Sequence, residues 1–209
     1  MPAFSLVIFD YDGTLADSFP WFCSVLNQTA RRFGFREVAE GEADELRTLD
    51  SRQIVARLGV PLWKMPAIAM HMRKLSAEAG DAVALFPGAE QMLARLAAND
   101  VAIAVVSSNS EAVIRRTLGR ASAHVSHFDC GASLWGKSAK FSAVVRQADA
   151  DRQRTIAIGD EIRDIDAARR AGIASGAVTF GYNTGASLRA REPDLIFDDY
   201  EQLLAKLMA

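Results

Sequence analysis

The chain has 209 residues, of which half are hydrophobic and about a quarter are charged, and its formal net charge is −2. This balance is typical of a globular protein, and it gives no basic field that would draw the chain to nucleic acid or to an acidic membrane. The two cysteines lie far apart in the sequence, which excludes a zinc motif of the Cys-x-x-Cys type and a disulfide framework. The sequence has neither a signal-peptide pattern nor an apolar run long enough to span a membrane, so we expect a cytoplasmic protein. The sequence leaves the oligomeric state undecided.

The first predicted element is a buried strand over residues 5–9, because its apolar run is continuous rather than alternating. From residue 15 to about residue 84 the apolar residues recur at helical spacing, and no run resembling a strand interrupts them. Strands and helices then alternate. The later strands are predicted within residues 101–109, 125–130, 155–160, 176–182 and 194–199, and the later helices within residues 89–97, 110–119, 138–148, 164–172 and 200–208.

Alternating strands and helices predict an α/β fold with a doubly wound, parallel, Rossmann-like sheet. One strand followed by about seventy helical residues predicts an insertion near the start of the fold. We therefore predict a catalytic core made of residues 1–14 and 84–209, with residues 15–83 forming an α-helical cap above the carboxyl edge of the sheet.

Two carboxylates follow the first predicted strand, in the sequence "VIFDYDGTLADS". Asp10 and Asp12 stand where the strand ends, at the edge where open α/β sheets bind their ligands. Gly13 permits a sharp turn after Asp12, and Thr14 can fix the loop by hydrogen bonding.

Other polar residues are predicted to lie at the same edge of the sheet. They are Ser107, Ser108 and Asn109 after the second core strand, Asp160 and Asp164 in "GDEIRD", and Lys137 and Lys140 in "WGKSAK". The free N–H groups at the start of a helix favour an anion such as phosphate. Carboxylates that are packed together need a cation, and oxygen ligands of this kind suit Mg²⁺.

These residues resemble the four motifs of the haloacid dehalogenase superfamily of phosphatases, in order and over nearly the whole chain. The matching segments are "FDYDGTLADS", "VVSSNS", Lys137 in "WGKSAK", and "IGDEIRDIDAARRAG". The insertion is similar to the helical type-1 cap of that family, and "LFPGAEQML" and "GAVTFGYNT" resemble its phosphoglycolate phosphatase-like branch. Many members of that branch have Lys-Pro-x-Pro where this chain has "KSAK", so Lys140 stays an alternative to Lys137.

The resemblance implies a Mg²⁺-dependent phosphatase that acts on a small phosphorylated metabolite. Asp10 would attack the phosphorus atom and form an aspartyl-phosphate, and Asp12 would protonate the leaving alcohol and then activate water. The metal would be held by Asp10, by the carbonyl of Asp12 and by Asp160, with Asp164 behind them or acting through water. The residues assigned to the phosphoryl group are Ser107 and Lys137, with Gly13, Thr14, Ser108 and Asn109 in the surrounding loops.

Substrate selection is assigned to the cap. If Arg47 or Arg52 faces the site, a substrate with a carboxylate, such as phosphoglycolate, becomes plausible, because arginine binds carboxylates through two hydrogen bonds. Two alternatives stay open at this point: a phosphomutase that acts on a sugar phosphate, and a receiver-like phosphorylation switch. Asp12 argues against carbon–halogen hydrolysis, because the departure of a halide needs no acid.

Overall fold

The computed structural model describes residues 2–131 and 136–209, so Trp135 of "WGKSAK" lies outside the described residues. Six strands form one parallel sheet: β1 (Leu6–Phe9), β4 (Ala102–Ser107), β5 (His127–Cys130), β6 (Thr155–Gly159), β7 (Ala174–Val178) and β8 (Leu195–Phe197). Their order in the sheet is β5-β4-β1-β6-β7-β8. The α/β class and the parallel, doubly wound sheet that the sequence predicts are confirmed.

Both faces of the sheet are buried, which explains the continuous apolar runs. Along β1, Val7 and Phe9 belong to one apolar cluster, and Leu6 and Ile8 belong to a second cluster that includes Phe141. All four β1 side chains are fully buried. Since β1 lies between β4 and β6, its carboxyl end is at the centre of the sheet edge.

Helices cover the two faces and form the insertion. They are α1 (Phe19–Phe33), α2 (Ala43–Leu46), α3 (Ser51–Arg57), α4 (Met65–Glu78), α5 (Ala89–Ala97), α6 (Glu111–Leu118), α7 (Lys137–Gln147), α8 (Ile162–Ala171), α9 (Gly185–Ala190) and α10 (Tyr200–Leu207). Helix α9 was not predicted, because its six residues are too few to give a periodic pattern. Among the described helices, none is long and apolar enough to cross a membrane.

A short antiparallel ribbon stands where the chain leaves the core and where it returns. Strand β2 (Ala16–Asp17) pairs with β3 (Ala84–Leu85). The prediction that no strand interrupts the stretch from 15 to 84 was therefore wrong at its two ends, because two-residue strands leave no readable alternation. Residues 18–83, which lie between these strands, are called the helical insert below; α1 to α4 belong to it.

Candidate active site

Adjacent strands bring the predicted polar residues to one edge of the sheet. Phe9 of β1 stands in register with Val105 of β4 and with Ile158 of β6, so Asp10 and Asp160 follow neighbouring strands. Ser107 ends β4 on the other side of β1. This parallel register brings together side chains that are about 150 residues apart in the sequence.

Lys137, the first residue of α7, lies between two carboxylates of this edge. Its Nζ is 2.5 Å from Oδ2 of Asp10 and 2.6 Å from Oδ1 of Asp164. Lys140 instead pairs with Asp129 at 2.7 Å and is 37% exposed. Of the two lysines that the sequence offered, Lys137 is therefore the one within reach of Asp10.

Asp160 is fully buried, and its two oxygens accept hydrogen bonds from neutral donors. The Thr14 hydroxyl donates to Oδ1 at 2.7 Å, and the Tyr182 main-chain N–H donates to Oδ2 at 2.7 Å. Gly13 has a φ of 71°, and a Cβ at this position would stand 2.2 Å from Asp160 Oδ2. Only glycine allows this loop to pass so close to the carboxylate.

The carboxylates of Asp10, Asp160 and Asp164 form a cluster suited to a divalent cation. One oxygen from each lies within 4.8 Å of the others, and all three residues are buried. Burial raises the pKa of Asp10, against the opposing charge of Lys137, and burial with neighbouring acids raises the pKa of Asp160 well above its usual value. Hard oxygen donors with excess negative charge fit Mg²⁺, which would neutralise them.

Asp12 occupies an environment different from that of Asp10. Its Oδ2 accepts a hydrogen bond from the Asn109 side-chain amide at 2.9 Å. Burial, and secondly the charge of Asp10, raise the pKa of Asp12 to about 7, while a hydrogen bond from Ser18 opposes the rise. A carboxyl group with this pKa can give and take a proton near neutral pH.

The loop after β4 lies beside these carboxylates. Ser107 is buried, and its Oγ accepts a hydrogen bond from the Asn109 N–H at 3.0 Å. The Ser108 carbonyl accepts from Nε of Arg73 in α4 at 3.0 Å, so the helical insert contacts this loop. Asn109, expected from the sequence at the phosphate, directs its amide to Asp12.

The predicted substrate arginine Arg47 contacts the core. Its Nε donates to the Tyr182 carbonyl and its Nη2 to the Gly181 carbonyl, both at 3.0 Å, and its guanidinium lies 4.9 Å from the Phe19 ring centre. In this arrangement Arg47 joins the helical insert to the core. Arg52, the second candidate, follows Ser51 in the first turn of α3.

Several residues of the site were missed from the sequence. Arg163 is ion-paired with Glu161, and although burial alone lowers the pKa of Arg163, the neighbouring carboxylates raise it. Tyr182 and Asn183 follow β7 at the same edge of the sheet as the acidic cluster. Polar residues after the strand in "GAVTFGYNT" were the available signal, because carboxyl ends of parallel strands share an edge.

Comparisons with known proteins agree with this geometry. The profile of the haloacid dehalogenase-like hydrolase family matches residues 7–178. A phosphoglycolate phosphatase of Synechococcus elongatus is 32% identical over 200 residues, which cover 95% of this chain and 94% of the relative. The chain belongs to the haloacid dehalogenase-like hydrolases. A phosphoglycolate phosphatase of Agrobacterium fabrum is 29% identical, over 99% of this chain and 93% of its own length.

Solved structures share the fold of this hydrolase. A Lactobacillus plantarum protein superposes with a TM-score of 0.82 at 16% identity, over 97% of this chain and 99% of the other. CbbY from Rhodobacter sphaeroides, solved in complex with phosphate, gives a TM-score of 0.71 at 23% identity, over 98% and 99% of the two chains. Phosphatases of this family generally use Mg²⁺, and this hydrolase has an acidic cluster of matching chemistry.

Proposed function

We propose that this phosphatase hydrolyses a small phosphomonoester with the aid of Mg²⁺, and that phosphoglycolate is its leading substrate candidate. The contrast between Asp10 and Asp12 is the observation that carries the proposal. Asp10 forms an ion pair with Lys137 at 2.5 Å, which lowers its pKa against the effect of burial, whereas Asp12 accepts a hydrogen bond from the neutral Asn109 amide and its pKa is raised to about 7. Two adjacent carboxyl groups with such different environments suit a nucleophile and a proton carrier.

In the first half of the reaction, an Asp10 oxygen attacks the phosphorus atom while the bond to the ester oxygen breaks. Asp12 gives its proton to the departing alkoxide, which leaves as an alcohol. In the second half, Asp12 takes a proton from water, whose oxygen attacks the phosphorus and restores the Asp10 carboxylate. The Asn109 amide, 2.9 Å from Asp12, holds the carboxyl group in place for both transfers.

Asp10 and Asp160 would hold the metal, together with the Asp12 carbonyl. When bound, Mg²⁺ supplies positive charge that reduces the repulsion between an attacking carboxylate and a phosphate dianion. Asp164 is bound to Lys137 and accepts the Glu161 N–H at 3.0 Å, which suits a role behind the metal ligands. Lys137 and Ser107 would contact the phosphoryl oxygens, with Gly13, Thr14 and Ser108 shaping the pocket.

We further propose that residues 15–83 act as the cap of a core formed by residues 1–14 and 84–209. The ribbon of β2 and β3, which brackets residues 18–83, supports this division. The insert also contacts loops of the core: Arg73 reaches the Ser108 carbonyl, and Ser51 donates to a Glu161 carboxylate oxygen at 3.1 Å. A docked cap excludes water from the reacting groups. The cytoplasmic location and the lack of a nucleic-acid partner stay predictions from the sequence.

Phosphoglycolate is favoured because two relatives that match nearly the full chain carry that activity in their names. Its carboxylate would bind an arginine of the insert, and Arg52, in the first turn of α3, is the candidate chosen for the test. An Arg52→Lys variant should raise the KM for phosphoglycolate while leaving the KM for a neutral alkyl phosphate unchanged. Equal KM changes for both esters would remove this substrate assignment.

The proposed reaction is tested by phosphate release from a panel of small phosphomonoesters, with Mg²⁺ and with EDTA. We expect metal-dependent turnover in the wild type and none in Asp10→Asn, an exchange that keeps the shape of the side chain and removes its charge. Product analysis with a sugar phosphate identifies transfer to a second hydroxyl, the outcome of a mutase. A folded protein that binds Mg²⁺ but releases no phosphate from any ester would overturn the proposal.

A further inference from the structure

The side chain of Asn183 joins the helical insert to the core. Its Nδ2 donates to the main-chain carbonyls of Arg47, at 2.7 Å, and Leu49, at 2.9 Å. Its Oδ1 accepts the N–H of Ile162, the first residue of α8, at 2.9 Å. Asn183 is only 4% exposed, so its amide nitrogen depends on the insert for its partners.

The loop that carries Asn183 also supports Asp160. The main-chain N–H of Asn183 donates to the Asp160 carbonyl at 3.3 Å, and the N–H of Tyr182 donates to the Asp160 carboxylate at 2.7 Å. Three consecutive residues, 181–183, thus contact the insert on one side and a proposed metal ligand on the other.

The insert returns these contacts through Arg47. Its guanidinium donates to the carbonyls of Gly181 and Tyr182, and its own carbonyl accepts the Thr184 N–H at 3.0 Å as well as the Asn183 amide. We call residues 47–51 of the insert and residues 181–184 of the core the docking seam. The side-chain Oδ1 of Asn183 also accepts the N–H of Ile162 in the first turn of α8, which carries Asp164, so the seam contacts "GDEIRD" at Asp160 and at Ile162.

We propose that Asn183 is a positioning residue that couples docking of the insert to the placement of the Asp160 and Asp164 carboxylates. If residues 47–51 moved away, the Asn183 Nδ2 would exchange both acceptors for water, and the carbonyls of Gly181 and Tyr182 would lose Arg47, so the loop would lose the contacts that fix its position. The loop would then shift, and with it the Tyr182 N–H that orients Asp160. Docking and completion of the acidic site are one event. This inference rests on the proposed role of the insert as a cap.

The substitution Asn183→Asp tests the coupling with little change in shape. An aspartate keeps the oxygen that accepts the Ile162 N–H, but it replaces two donors by an oxygen that faces the carbonyls of Arg47 and Leu49. We expect faster amide hydrogen exchange at Thr184, by about 10-fold or more, and unchanged exchange at Ile162. We also expect Mg²⁺ affinity, measured by titration calorimetry, and kcat to fall by about 10–100-fold.

The matched control is Asn27→Asp. Asn27 makes the same type of contact entirely inside the insert, where its amide donates to the Val38 carbonyl at 3.0 Å and accepts the Val38 N–H at 2.8 Å. This variant should change neither Mg²⁺ affinity nor the exchange at Thr184. A loss of Mg²⁺ affinity equal to that of Asn183→Asp would show that the seam has no special role.

A second variant, Arg47→Met, removes the hydrogen bonds from the Arg47 guanidinium to the carbonyls of Gly181 and Tyr182 and leaves the contact between Asn183 and Ile162 intact. It therefore tests the coupling even if Asn183→Asp disturbs α8. Faster exchange at Thr184 together with weaker Mg²⁺ binding supports the coupling in either variant. Unchanged exchange, or faster exchange with unchanged Mg²⁺ affinity, overturns it. These readouts need no turnover, so a wild type that released no phosphate would reject the proposed reaction and leave the coupling to be judged separately.

Discussion

Replacing Lys137 by methionine removes the cation that lies between two buried carboxylates. Its Nζ stands 2.5 Å from Asp10 and 2.6 Å from Asp164, and the lysine side chain is 9% exposed. Removing one partner of a buried ion pair costs about 3–5 kcal/mol of unfolding free energy, because the remaining charge has no compensation. For a chain of this length, that loss lowers the melting temperature by about 6–20 °C.

Lys140→Met is the control, since it removes a lysine three positions away that is 37% exposed and pairs with Asp129. A pair with this exposure contributes about 0–1 kcal/mol. The assay is calorimetric melting of both variants at pH 8 and pH 5 without divalent metal, with phosphate release measured alongside. Turnover should fall by about 100–1,000-fold in Lys137→Met, through lost stabilisation of the transferring phosphoryl group, and little in Lys140→Met.

The stability deficit of Lys137→Met should also depend on pH. Burial raises the pKa of Asp10 and Lys137 lowers it, so removing the lysine raises that pKa further. The uncompensated charge is present at pH 8 and is neutralised as the pH falls and the carboxyl group takes a proton. Equal melting losses for the two variants, or a Lys137→Met deficit that is as large at pH 5 as at pH 8, would refute the reasoning.

Three further outcomes are expected. Asp12→Asn should lower the turnover of alkyl phosphates by about 100-fold or more. The turnover of p-nitrophenyl phosphate should fall much less, because its leaving group needs no acid. Equal losses with both substrates would show that Asp12 is not the proton donor. Gly13→Ala should lower the free energy of unfolding by more than about 1 kcal/mol, because the φ of this residue is 71° and the new Cβ would lie 2.2 Å from an Asp160 oxygen. It should also weaken Mg²⁺ binding, measured by calorimetry. Normal Mg²⁺ binding would contradict this contact. Without metal, the raised pKa of Asp12, about 7, supplies stability that is fully present below pH 4 and lost as the pH rises through 7. Burial also raises the pKa of Asp10 and Asp160, the proposed carboxylate ligands, so saturating Mg²⁺ should raise the melting temperature more at pH 8 than at pH 5, and an equal rise would be evidence against a site of ionised carboxylates.

The core of the fold was readable from the sequence because its signals are local. The buried strands are continuous apolar runs, and the helices between them carry 3.6-residue periodicity, so the alternation of elements and the parallel sheet could be predicted. The ribbon of β2 and β3 and the six-residue α9 escaped prediction, because each is too short for its apolar pattern to repeat reliably.

Some residues of the candidate active site could also be predicted from the sequence, and others could not. Asp10, Asp12, Ser107 and Asp160 could be named because each stands at the end of a strand or just after it, and strand ends meet at one edge. The choice between Lys137 and Lys140 could not be made with certainty from spacing, since both begin the same helix. Only the packing of α7 against the sheet shows which ammonium group reaches Asp10.

The sequence by itself determined the chemistry that is available: carboxylates, a hydroxyl and a lysine at the ends of buried strands. The tertiary structure decided which partner each polar side chain contacts. In the folded chain Asn109 donates a hydrogen bond to Asp12, Arg47 donates to the carbonyls of Gly181 and Tyr182, and Asn183 lies between the insert and α8. Apart from the contact between Asn183 and Ile162, which are 21 positions apart, these hydrogen bonds join residues more than 90 positions apart. Single hydrogen bonds of this kind leave no periodic trace in the sequence and form only when the surrounding surfaces have packed.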